Sequence, residues 1–243
     1  MPETSTEWQS AHLARTYLEG VRGAIPLAEQ QLDVLLTIVR NWLPRLGTVV
    51  DLGCGDGILG RTVLREHSHA QAWFIDISPA MLQAARDALP DGARARFVLA
   101  DLAQSDWRDR LALPGPVDLV LSGFAIHHLA HERKRALYAE IHALLAPGGV
   151  FLNLEHVASP TPTVEALFED HFVDHLYAYH RRNGNRQSRE ELARTYYARQ
   201  DKEENILAPV EEQCDWLRRI GYEDVDCFFK CFELALFGGR RGV

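Results

Sequence analysis

The 243-residue sequence predicts an α/β protein built on a doubly wound, mostly parallel sheet. Three observations carry this. Val49–Gly57 reads V-V-D-L-G-C-G-D-G, an apolar run followed by alternating glycines and then by helical spacing over Ile58–Glu66. Glycine permits the positive φ and the close backbone approach that such a turn needs, and strand, glycine loop and helix together form a nucleotide-binding corner. Two further apolar runs, Ala72–Ile77 and Ala95–Ala100, again finish at acids, so Asp51, Asp76 and Asp101 fall at the carboxyl ends of three successive predicted strands. That edge of an open α/β sheet is where ligands bind. Third, strand and helix patterns alternate down the chain until an aromatic, polar segment breaks them.

In order, Trp8–Glu19 and Leu27–Leu43 read as two helices, the second starting at Pro26 and stopped by Pro44. Strands are expected near 47–52, 71–77, 94–100, 117–123 and 149–155. Helices are expected near 57–66, 79–89 and 131–146, with a shorter one near 105–111. Ser78 and Pro79 have the form of an N-cap and first helical residue. After the fifth strand, Pro160 and Pro162 open a segment, Thr163–Leu207, rich in Phe, Tyr, His and Arg. It reads either as a solvated helix pair with its aromatics inward or as a lid over the ligand edge. Glu211–Ile220 is the last helix, and Tyr222–Cys231 and Phe232–Phe237 read as adjacent strands. The organisation is one domain: N-terminal helices 1–46, a core 47–157, a lid 158–208, and a closing helix with a strand pair 209–243.

Composition bounds the function. Charged residues are 25% and apolar residues 47%, as in ordinary globular chains. No apolar stretch is long enough to cross a bilayer, and the first residues lack a basic region with an apolar core. The expectation is a cytoplasmic protein. A net charge of −8 gives no general attraction to nucleic acid. Cys54, Cys214, Cys227 and Cys231 lack tight metal spacing, and reduced thiols are expected. His171 and His175 form an i, i+4 pair, a real ligand geometry, but without an H-E-x-x-H glutamate they fit a solvated helix face better, and no metal is expected. No G-x-x-x-x-G-K or Ser-His-Asp pattern supports a triphosphatase or a hydrolase.

D-L-G-C-G-D-G, the strand end at Asp76 followed by S-P-A-M, A-D-L at 100–102, and L-L-A-P-G-G-V-F-L-N-L-E (Leu144–Glu155) together resemble the class I S-adenosylmethionine-dependent methyltransferases. The resemblance covers about Thr48–Glu155. It implies a Rossmann-like, seven-stranded mixed sheet ending in an antiparallel pair, with S-adenosyl-L-methionine as cofactor and S-adenosyl-L-homocysteine as product. Gly53 and Gly55 would accommodate the methionine part of the cofactor, with Asp51 orienting the loop. Asp76 would bind the ribose hydroxyls, Asp101 and Leu102 the adenine edge, and Ile77 and Met81 the adenine faces; Met81 fits plain core equally well.

Y-H-R-R-N-G (Tyr179–Gly184), E-N-I-L (Glu204–Leu207) and G-Y-E-D-V-D-C-F-F-K-C-F (Gly221–Phe232) are similar to the carboxy-S-adenosylmethionine synthase branch, which acts in tRNA wobble-uridine modification. The chain departs from that branch at Gly55 and Asp56, where the synthase has Ser and an apolar residue, and at the His127–His128 pair. Arg199 lies near the lid arginine that holds the extra carboxylate in that branch, and the branch's habit implies a homodimer.

Methyl transfer needs an aligned acceptor and, for oxygen or nitrogen, loss of a proton. The candidates sit at the edges of strands four and five: His127 and His128, of which at most one can face a pocket, and Glu155 with His156. A neutral imidazole could accept the proton; the histidine pair could also merely cap its loop. Glu155 and His156 read either as contacts to substrate or cofactor amine or as a hydrogen-bonded lid hinge. Tyr177, Tyr179, Arg181 and Arg182 in the lid suit a small aromatic or carboxylate-bearing substrate. The expected activity is methyl transfer to an O, N or C atom of a small molecule. The synthase activity and a non-catalytic cofactor-binding role are the alternatives.

Overall fold

The computed structural model describes residues 22–89, 94–198 and 204–243. Seven strands form one sheet in the order β3-β2-β1-β4-β5-β7-β6. They are β1 (Thr48–Leu52), β2 (Gln71–Asp76), β3 (Ala95–Leu99), β4 (Val117–Gly123), β5 (Leu145–His156), β6 (Tyr222–Cys231) and β7 (Leu234–Arg241). The first five are parallel, and β7 runs antiparallel between β5 and β6. Chain order reverses between β1 and β4, which creates the crevice where this sheet type binds ligands.

Helices α1 (Ala28–Trp42), α2 (Ile58–Glu66) and α3 (Pro79–Asp87) cover one face. Their Leu35, Val39, Leu59, Val63, Leu82 and Ala85 pack on Val49, Phe74, Leu119 and Leu152 of the sheet. α4 (His131–Leu144) and α7 (Val210–Ile220) cover the other face through Leu137, Tyr138, Ile141, Cys214 and Leu217, against Val50, Trp73, Val120 and Phe151. Burial on both faces is why the central strands are nearly continuous apolar runs. The segment after β5 comprises α5 (Pro162–Arg182) and α6 (Arg189–Tyr197), and 204–208 returns from it to α7. α6 starts with a capping box between Ser188 and Glu191.

Several boundaries differ from expectation for local reasons. Leu27, not Pro26, directly precedes α1 and takes a left-handed φ of 56°. The 105–111 segment is a 3-10 helix over Ser105–Arg110. β5 begins four residues early, because Leu145 already pairs with Val117 ahead of the glycine pair. Phe232 turns left-handed (φ 51°) and makes the β6–β7 hairpin, so the last strand starts at Leu234 and runs to Arg241. The expected helix over Trp8–Glu19 lies outside the described residues. Among the described residues no helix is long and apolar enough to cross a membrane, and no group of three or more His, Cys, Asp or Glu side chains is arranged to hold a metal.

Candidate active site

A cavity of about 730 Å³ opens at the carboxyl edge of β1, β2 and β4. Its volume falls in the roughly 300–1,000 Å³ range of small-ligand sites. Asp51, Gly53, Gly55, Asp76, Ile77, Met81, Asp101 and Leu102 all line it, so the expected cofactor residues converge on one wall.

The glycine loop is held by two carboxylates. Asp51 Oδ2 accepts the Gly60 amide at 2.9 Å, joining β1 to the first turn of α2. Asp76 accepts from the Gly55 amide at 2.9 Å and the Ser78 amide at 2.8 Å. Ser78 in turn caps α3 by accepting from the Met81 amide. Both acids are buried. Burial pushes the Asp51 carboxyl up to about 7 against the Gly60 hydrogen bond, with Asp76 adding repulsion. Burial likewise pushes Asp76 up to about 6 against its three backbone donors.

The cradle fits an aminoacyl nucleoside. Gly55 lines the cavity, and a β-carbon built there (φ +54°) meets nothing within 4 Å, so the space beside the loop is open. Asp51 Oδ1 is buried with no hydrogen-bond partner among the described residues, an acceptor available to a bound cation. Asp101 is tied by its own Ala103 amide and exposes its edge to the cavity beside buried Leu102.

The rest of the lining comes from elements distant in sequence. Ile25, Ala28, Gln31 and Leu32 approach from the start of α1, Phe124, Ala125, His128 and Leu129 from the loop after β4, Tyr179 from α5, and Glu204 and Ile206 from the segment that returns to α7. Phe124 sits at a left-handed φ of 51° while its amide donates to Leu154 at 2.8 Å, so local strain is held by the sheet.

The two histidine rings lie against each other, and one of them lines the cavity. His128 lines the cavity; His127 turns inward, its Nδ1 2.6 Å from Glu155 Oε1. Their rings lie 4.0 Å apart. Burial, then the neighbouring His127, push the His128 imidazole down to about 2, so it is neutral at physiological pH. Glu155 is buried and also accepts the His156 amide at 2.9 Å. It does not line the cavity, and neither does His156, whose Nε2 meets Glu233 Oε2 at 2.7 Å beneath the lid. Of the four expected catalytic residues, the structure brings His128 alone to the cavity; His127 pairs with Glu155 in the interior, and half-buried His156 pairs with Glu233.

On α5, Tyr179 reaches the cavity, and its ring packs so closely on Gly23 that a β-carbon there would lie 2.3 Å away. Tyr177 packs instead with Ala24, Leu176 and Leu192. Arg181 is exposed and is not among the lining residues, so the structure does not bring it to the cavity. Arg199 lies outside the described residues. The α1 contribution and the return segment were missed from sequence. Gln31, a buried polar residue on an otherwise apolar helical face, was the one signal for the former; its amide donates to Pro26 C=O at 2.8 Å.

Residues 49–149 match the family model described as a methyltransferase domain. With the sheet order and the acid-lined glycine cradle, this match defines the class: the chain has the class I methyltransferase fold, and its residues 49–149 form a methyltransferase domain. Along its whole length it is similar to carboxy-S-adenosyl-L-methionine synthase of Nautilia profundicola, at 20% identity over 228 residues, 93% of this chain and 90% of the synthase. Among solved structures, an O-methyltransferase family protein of Burkholderia thailandensis matches with TM-score 0.63 and 22% identity over 89% of this chain; the match spans 56% of that protein, a little over half its length. Magnesium protoporphyrin IX methyltransferase from Synechocystis PCC 6803, solved with bound SAH, matches with TM-score 0.60 and 18% identity over 97% of this chain and 96% of that one. At these identities the structural likenesses concern the fold alone.

Proposed function

We propose that this protein transfers the methyl group of S-adenosylmethionine to an O, N or C atom of a small acceptor with an aromatic or apolar body. One observation carries the reading: a single cavity joins the Gly53–Gly55, Asp76 and Asp101 wall to a second wall of Ile25, Leu32, Phe124, Leu129, Tyr179 and Ile206. The first wall suits a nucleoside with an amino-acid tail, and the second suits a ring.

In this reading Asp76 accepts hydrogen bonds from ribose hydroxyls, Asp101 and Leu102 bound the adenine, and Asp51 Oδ1 faces the amino group of the methionine tail. The cofactor's sulfonium supplies an activated methyl group to an in-line nucleophile. His128 packs a neutral ring against the acceptor, its ring nitrogens buried and the Glu204 backbone within hydrogen-bonding reach. With its pKa near 2 it does not store the acceptor's proton at neutral pH, so alignment carries most of the acceleration and the proton leaves through solvent. His127 and Glu155 hold the loop that presents His128. Tyr179 covers the acceptor from the lid. The working compartment in this reading is the cytoplasm.

The whole-length similarity to a carboxy-S-adenosyl-L-methionine synthase supports a second reading, in which the product is a carboxylated cofactor. Gly55 and Asp56 keep the common methyltransferase form and favour the first. Mass spectrometry of the ligand that copurifies separates the two, followed by labelled-methyl uptake across a metabolite panel. S-adenosylmethionine or S-adenosylhomocysteine with labelled uptake into an aromatic acceptor supports methyl transfer. An extra carboxylate on the cofactor, or no cofactor binding by calorimetry, overturns it.

A further inference from the structure

The first turn of α4 carries two adjacent cations that reach opposite sides of the cavity. Arg133 extends toward the adenine wall: its Nε donates to Leu102 C=O at 2.7 Å and an Nη to Gln104 C=O at 3.1 Å. Glu140, two turns further along the same helical face, fixes the guanidinium through both Nη atoms at 2.7 Å and is itself held by Trp107 Nε1 at 2.6 Å. The paired geometry leaves Arg133 little freedom, so the 102–104 backbone is located by a braced fork.

Lys134 points the other way. It is 1% exposed, a burial that lysine tolerates only with partners. Its Nζ donates to Ile206 C=O, and the Glu155 carboxylate lies within electrostatic reach. Burial pulls the ammonium down to about 8, with Glu155 opposing. Ile206 lines the cavity, and its amide donates to His127 C=O at 2.9 Å. Both backbone polar groups of one lid residue are therefore spent on the loop and helix that carry the histidines. The next residues continue the seam: His131 Nε2 lies 3.1 Å from Leu207 C=O, and Ala208 C=O receives the Ala158 amide at 3.1 Å and Gln213 Nε2 at 3.0 Å.

We propose that Arg133 and Lys134 are positioning residues that set the two halves of the cavity independently, Arg133 fixing the cofactor wall at Leu102–Gln104 and Lys134 fixing the acceptor wall at Ile206. Neither side chain lines the cavity, so each acts through the backbone it holds. The assignment of the two halves rests on the methyl-transfer reading above; the mechanical division does not.

The test is a double dissociation with Arg133→Met and Lys134→Met, each retaining its apolar stem. Amide hydrogen exchange reads the two walls directly, and S-adenosylhomocysteine titration reads the cofactor half. Lys134→Met should raise exchange at Ile206 at least tenfold while the homocysteine Kd stays within twofold. Arg133→Met should raise exchange over 102–104 and weaken that Kd at least fivefold, leaving Ile206 protected. Once an acceptor is in hand, Lys134→Met should raise its KM more than it lowers kcat, and Lys134→Arg should restore part of the loss. To separate local loosening from poor folding, Lys134→Met is paired with Glu155→Gln, which removes the uncompensated carboxylate; Ile206 should remain unprotected in the double variant. The proposal is overturned if either single variant loosens both walls equally, or if Ile206 exchange is unmoved in Lys134→Met. Exchange needs no turnover, so a protein that methylates nothing yet shows the dissociation refutes the functional reading and not the positioning one.

Discussion

Alanine at Gly53 and alanine at Gly55 should damage the protein in different ways, although the two glycines are two residues apart and share a left-handed backbone. Gly55 has φ +54° and open space where its β-carbon would go. The left-handed conformation costs an alanine about 1–2 kcal/mol, and the stiffer unfolded chain returns about 0.4–1 kcal/mol. Gly55→Ala should therefore lose about 1 kcal/mol or less. Gly53 has φ +59°, and its β-carbon would stand 2.2 Å from the Ala125 β-carbon, in the loop that leads to His128. Carbon atoms rest at about 3.5–4.0 Å, so that loop must retreat by well over an ångström, an overpacking cost of about 1–3 kcal/mol. Gly53→Ala should lose about 2–4 kcal/mol in total. For a chain of this length about 2–4 °C of Tm accompanies each kcal/mol. Thermal melts of the cofactor-free protein should thus fall by about 5–15 °C for Gly53→Ala and by less than about 4 °C for Gly55→Ala. Cofactor binding should invert the ranking of concern, because the Gly55 methyl would occupy cavity space. Its S-adenosylhomocysteine Kd should rise tenfold or more, about 1.4 kcal/mol, with the fold nearly intact. Equal melting losses for the two variants, or wild-type cofactor affinity in Gly55→Ala, would refute the reasoning.

Four further outcomes follow from the same geometry. Asp76, held near 6 against an ordinary 3.8, binds its proton more tightly folded than unfolded. Its contribution to stability is therefore fully present below about 3.8 and is lost as pH rises to about 6, while cofactor affinity should weaken below about 6 as the acceptor carboxylate protonates; Asp76→Asn should flatten both trends in denaturation and titration series. Removing the His127 ring leaves Glu155 buried with a single backbone donor, so His127→Ala should cost about 3–5 kcal/mol by urea denaturation, and a loss under 1 kcal/mol would contradict the pairing. Ser188→Ala deletes the capping box of α6 and should cost about 1 kcal/mol, seen as faster exchange confined to the lid with unchanged cofactor affinity. Tyr179→Ala should raise acceptor KM, whereas Arg181→Ala, exposed and outside the cavity lining, should leave it unchanged.

The cofactor wall was legible in the sequence because it is local. Strand, glycines and helix within Val49–Glu66 meet a second acid one strand away and a third one strand further, and parallel pairing places all three at the same edge. Ser78 and Pro79 could be identified as a helix start for the same reason, since a cap acts over three residues. The histidine pair was legible only as a pair. Which ring faces the cavity depended on Glu155, 28 residues later on β5, capturing His127 Nδ1. The expectation for Arg181 rested on lid composition, but composition does not fix the turn of α5 that each side chain occupies.

By itself the sequence determined the sheet class, the order of its elements and the glycine cradle with its three acids, because hydrophobic period and turn chemistry are short-range properties. The rest of the cavity lining, where the proposed acceptor would bind, was decided by tertiary structure alone. It joins Ile25 and Leu32 to Phe124, Tyr179 and Ile206, residues separated by up to some 180 positions, and Ile206 is held there through its own backbone, by the His127 carbonyl and the buried Lys134 ammonium. Long-range contacts of this kind leave no period in the sequence, so the glycine cradle can be read from the chain while the rest of the cavity exists only once the segment after β5 has packed on the sheet.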